Sequence, residues 1–118
     1  MGTGTPNPEP PARRRGSRLP LRLNVIISGA DAKAASFEER TETVEVSKYG
    51  AKLRSSHELK VGGLLNLLRP ETERRLDVRV VFQLEPDAES GRRETGVEFV
   101  GVGEFWGVQF PPDRGVWV

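Results

Sequence analysis

Five arginines, Arg13, Arg14, Arg15, Arg18 and Arg22, fall within ten residues near the start of the chain, with no acid among them. A guanidinium is charged at every physiological pH. Its planar fork meets a phosphate with two hydrogen bonds, and its flat face stacks on a purine. A second constellation lies further on, Glu45-Val46-Ser47-Lys48-Tyr49-Gly50. On a strand Glu45 and Ser47, two apart, project to the same face. There the carboxylate can accept from a pair of adjacent donors, and the hydroxyl can both donate and accept. Gly50 falls at the tight corner of a hairpin, where positive φ is expected and glycine adopts it without steric cost.

Other chemistries have less to work with. His57 is the single histidine and cysteine is absent, which excludes thiol catalysis, disulfides, Cys-ligated metals and a multi-histidine metal site. Glu38-Glu39 and Glu42/Glu45 could pair for acid–base work, but they lie on strongly polar stretches and read as a solvated strand face. No Walker loop and no metal-ligand spacing is present. Catalysis is therefore not expected. The net charge of +1 argues against wholesale binding to DNA or membrane, which needs many uncompensated cations. Apolar runs are far too short to span a bilayer, and residues 1–11 lack an apolar signal core, so the expected location is the cytoplasm.

The 118 residues suggest one domain with a modest core. Residues 1–12 are rich in proline and have no large apolar side chain after Met1, so they read as a disordered tail before a domain over 13–118. Period-2 alternation of Leu21, Leu23, Val25 and Ile27 marks a first strand, with a turn at Gly29-Ala30-Asp31. Val44 and Val46 face one side of the next strand, opposite Thr43, Glu45 and Ser47, and Ala51 and Leu53 resume alternation after Gly50. Ser55 to Glu58 could cap one helical turn before Gly62-Gly63 stops it. Leu64 to Leu68 is another strand. The longest follows, with Leu76, Val78, Val80, Phe82 and Leu84 inward, and the last runs from Thr95 to Val100. Trp106 between Phe105 and Gly107 reads as a core residue or barrel cap, and Trp117 as a loosely packed end. Six short strands with frequent turns predict a closed antiparallel barrel or a sandwich.

Two patterns, taken in order, carry a family resemblance. The element Arg14-Arg15-Gly16-Ser17-Arg18 has the form R-x-x-x-R. Roughly thirty residues later Glu45 to Gly50 follows [D/N]-x-S-x-x-G except at its first position. Lys60-Val61-Gly62 and Gly96-Val97-Glu98-Phe99 also fall at familiar places. The chain thus resembles the PilZ domains, bacterial cytoplasmic receptors for cyclic di-GMP, over about residues 13–110. The resemblance implies a six-stranded, Greek-key-like antiparallel β-barrel of split-barrel type. It also implies cyclic di-GMP binding by Arg13, Arg14, Arg18, Glu45, Ser47 and Gly50, and control of motility, biofilm or exopolysaccharide through a second, unidentified protein. Glu45 departs from the pattern. Its extra methylene shifts the carboxylate by roughly 1 Å, enough to weaken a short hydrogen bond, and lets it pair with Arg14 or Arg18 in the free protein. The alternative is therefore a PilZ-like adaptor that binds protein and no nucleotide.

Overall fold

The computed structural model describes residues 17–101 and 104–110. Arg13, Arg14, the segment 1–12 and Trp117 lie outside the described residues. Six strands occur among them: β1 (Asn24–Ala30), β2 (Ser36–Ser47), β3 (Gly50–Ser55), β4 (Leu64–Arg69), β5 (Arg74–Gln83) and β6 (Arg93–Phe99). They close an antiparallel barrel in the order β1-β2-β3-β6-β5-β4. β4 lies beside β1, the placement of a fourth strand in a Greek key. No helix forms among the described residues, so none is long and apolar enough to cross a membrane. The expected helical turn at Ser55–Glu58 is instead the end of β3 and the start of an irregular connection to β4.

The core is aliphatic along the barrel axis and aromatic at one end. Val25, Ile27, Val46, Leu53, Leu67, Val78, Val80 and Val97 fill the interior, and Phe105 and Trp106 close one mouth. Trp106, only 1% exposed, stands edge-on to Phe105 with ring centroids 4.8 Å apart. This is the cap expected from the sequence.

Two departures from simple alternation decide which side chains reach the surface. β2 begins at Ser36, well before its first valine, because its polar half pairs residue by residue with β1, from Ala30↔Ser36 to Asn24↔Glu42. In that half Phe37 and Glu39 are half-buried and Thr41 and Thr43 are buried. The register then shifts between Thr43 and Glu45. One extra residue, Val44, moves the buried set from odd to even positions, so Val46 is buried while Glu45 and Ser47 open outward. Thr43 is thus inside, contrary to the alternation read from Val44. Its hydroxyl donates to the Leu21 carbonyl at 2.6 Å and accepts from the Leu23 amide at 2.9 Å. The expected first strand is accordingly split: β1 starts at Asn24, and residues 19–23 form a strap clipped to β2.

The second shift lies between Val80 and Phe82 of β5. Phe82 and Leu84, expected inside, are 40% and 52% exposed. Gln83 turns inward in their place and bonds the Leu59 amide (2.8 Å), the His57 carbonyl (3.0 Å) and the Thr95 hydroxyl (3.0 Å). The expected turn at Gly29–Asp31 falls slightly later, since Gly29 and Ala30 still belong to β1. There Asp31 accepts from the amides of Ala35 and Lys33, both at 2.9 Å, and these bonds hold its carboxyl below the usual carboxylate range.

Candidate functional site

The strap places Arg18. Leu19 exchanges two backbone hydrogen bonds with Val46, at 2.8 and 2.9 Å, an isolated antiparallel bridge on the last turn of β2. Arg18 therefore emerges beside Glu45, with its Nε 3.6 Å from Glu45 Oε2. Both side chains remain partly exposed, at 37% and 28%. The contact is a loose surface ion pair of the kind anticipated for Glu45.

Ser47 and Gly50 face each other across the β2–β3 hairpin. The Ser47 hydroxyl accepts from the Tyr49 amide at 3.1 Å, which shapes the turn and leaves its proton to donate elsewhere. From beneath, the Trp106 indole donates to the carbonyls of Ser47 (2.9 Å) and Gly50 (3.3 Å). The barrel cap is thus also the anchor of the hairpin. Gly50 is required for a reason other than the expected one, since it is not among the residues with positive φ. A Cβ at position 50 would lie 2.1 Å from the Val97 carbonyl oxygen and 2.8 Å from Glu98 Cα, so glycine allows β3 to approach β6.

Arg18, Glu45, Ser47 and Gly50 line one cleft of about 820 Å³ on the outer face of the barrel. Of the six residues expected to bind a ligand, the structure brings together these four; Arg13 and Arg14 lie outside the described residues. Three neighbours in the cleft escaped the sequence reading: Tyr49, Lys52 and Phe82. Tyr49 comes with the hairpin turn, and register explains Lys52 and Phe82. Glu45 pairs with Lys52, Lys52 with Gly96, and Gly96 with Phe82, making one transverse row over four adjacent strands. The readable signal was Gly96, a glycine inside a strand, which marks close approach by another group. Here that group is the Phe82 ring, whose Cε2 would lie 2.2 Å from a Cβ at position 96.

Two of the residues weighed for catalysis, His57 and Glu39, have structural partners. His57 stacks on Phe37 with centroids 4.4 Å apart. Glu39, expected on a solvated face, is half-buried and accepts from the Ser55 hydroxyl (2.7 Å), the Ser56 amide (3.0 Å) and the Ser56 hydroxyl (2.7 Å). Among the described residues no group of three or more His, Cys, Asp or Glu is arranged to hold a metal ion.

The described residues thus form a closed six-stranded antiparallel barrel with an open cleft on its outer wall. Among solved structures the barrel is similar to Bacillus subtilis inhibitor of motility (MotI/DgrA), with a TM-score of 0.55 and 23% identity over 77% of this chain. The match spans 44% of that protein, so this chain corresponds to less than half of its length. No protein-family model and no curated protein sequence matches the chain.

Proposed function

We propose that this protein is a PilZ-type regulatory domain that binds cyclic di-GMP and acts by changing what it offers to a partner protein. The observation that carries this reading is convergence. The strap arginine and the Glu45–Gly50 hairpin, far apart in sequence, line a single cleft with a cation, an acceptor and a hydroxyl donor at one end. A bis-phosphate purine dinucleotide is complementary to that set, with guanidinium to phosphate and carboxylate or hydroxyl to a base edge. Arg13 and Arg14, on the sequence leading into the strap, add further cations. The similarity of the barrel to a motility inhibitor favours regulation over catalysis. Ligand capture would then shift the population of strap conformations, and the output would fall to a second protein in the cytoplasm.

Calorimetric titration with cyclic di-GMP tests the proposal. Wild-type protein is expected to bind. Arg14→Ala and Arg18→Ala should each weaken binding by roughly tenfold or more, the equivalent of one charge-assisted contact. Unchanged affinity in both arginine variants eliminates the site. The second reading, an adaptor without nucleotide, is favoured by one observation, the Arg18–Glu45 pair that already occupies the strap cation. It expects no binding by the wild type.

A further inference from the structure

An exposed phenylalanine on a barrel wall needs a reason, and Phe82 has an unusual setting. The register shift after Val80 turns it outward, and its ring packs over Gly96, where any side chain would collide with it. The ring occupies the space that a side chain at Gly96 would take, while the Phe82 side chain remains 40% exposed within the cleft. Val81 and Leu84, 43% and 52% exposed, extend the apolar surface on either side. The polar end of the same cleft, at Arg18, Glu45 and Ser47, is three strand steps away, roughly 14 Å at ordinary strand spacing. Lys52 stands between them in the same row, its Nζ 3.8 Å from Glu94 and one-third exposed.

From a cation at one end, a second midway and an exposed aromatic ring at the other end, we infer that Phe82 is a base-stacking shelf. It takes a planar heterocycle of the ligand, a purine in the reading proposed above, on which this inference rests. Gly96 lets the ring lie low enough to form a floor, and the neighbouring aliphatics exclude water around the stacked base. Lys52 sits where a phosphate joined to that base would pass, on the way to Arg18. The row Arg18·Glu45–Lys52–Gly96–Phe82 therefore describes a nucleotide lying across the strands, with its polar and aromatic contacts at opposite ends.

A purely structural role for Phe82, covering an otherwise bare glycine, makes different predictions about affinity and stability. The test is titration of wild type, Phe82→Leu and Phe82→Trp with cyclic di-GMP, with thermal melting run on the same samples. Leucine keeps the apolar cover and removes the π face; tryptophan enlarges that face. Phe82→Leu should bind about tenfold more weakly, within the range of a lost base–aromatic stack, while melting near the wild-type temperature. Phe82→Trp should bind at least as tightly as wild type, and ligand should quench the emission it adds over the native tryptophans. Leucine-variant affinity within twofold of wild type overturns the shelf and leaves the proposed function standing. So does an unquenched indole at saturating ligand, whether or not the leucine variant folds. A wild type that binds no cyclic di-GMP overturns both.

Discussion

Two carboxylates on β2, Glu39 and Glu45, have opposite surroundings. Glu39 is saturated, with two serine hydroxyls and a backbone amide delivering short hydrogen bonds to its two oxygens, one of them from Ser55, which is fully buried. Glu45 has a single loose partner among the described residues, the Arg18 guanidinium at 3.6 Å, and opens into a cleft. The two positions share parity along the strand, so regular alternation would give them the same face. The extra residue at Val44 separates them: before the bulge an acid ties down a barrel mouth, and after it an acid opens into the cleft. The bulge in β5 does the same for Phe82, against Val78 and Val80 on the same strand. The cleft's distinctive side chains are those that two register shifts turned outward.

The contrast extends to what supports each end. The Glu39 mouth is fastened by residues of β2, β3, the following connection and Gln83, whereas the hairpin at the cleft rests on Trp106, from beyond β6. Trp106→Ala should accordingly have the largest effect. Truncating a large buried aromatic costs about 3–5 kcal/mol, and two hairpin carbonyls lose their donor. Urea unfolding should show that loss, with ligand binding abolished in the protein that remains folded. Retained binding would show that the cleft does not need its aromatic prop.

Glu39→Ala comes next. It strips the acceptor from the buried Ser55 hydroxyl and from Ser56, which should lower stability by about 1–3 kcal/mol, measured by the same unfolding experiment. Cyclic di-GMP affinity should be unchanged, because Glu39 does not line the cleft. A change in affinity without a loss of stability would reverse the roles assigned to the two acids.

Much of this contrast was legible in the sequence, up to a definite limit. Strand number, the Ser47–Gly50 hairpin and the Trp106 cap follow from alternation, turn residues and an indole between Phe105 and Gly107, whereas alternation left barrel and sandwich open and the family resemblance pointed to closure. The family pattern named Arg18, Glu45, Ser47 and Gly50, which share one cleft. Register was not legible. Period 2 carries no mark for an inserted residue, so Thr43 and Val44 exchanged faces, as did Phe82 and Gln83. The polar half of β2 was hidden for a related reason: pairing with β1, rather than its own hydrophobicity, makes it a strand. Gly50 was identified as necessary for the wrong cause, because contact with β6, and not backbone φ, forbids a side chain there. Phe82 and Lys52 could enter the site only once pairing placed them in one row with Glu45.

Glu45 itself gives the smallest stability effect and the sharpest test of the comparison. An ion pair this exposed and this long contributes between about 0 and 1 kcal/mol, so Glu45→Asp should melt within a few degrees of wild type. Shortening the side chain draws the carboxylate back from the strap and removes one competitor for the Arg18 guanidinium, while keeping an acceptor beside Ser47. Affinity for cyclic di-GMP should therefore rise several-fold, and the gain should shrink in high salt, where the competing pair in the wild type is screened as well. Because Glu39 is held by hydrogen-bond donors and not by a cation, Glu39→Asp should show no such gain, only lost stability. Weaker binding by Glu45→Asp would mean that the longer carboxylate is itself a ligand contact, and that the loose pair with Arg18 positions the strap instead of competing for it.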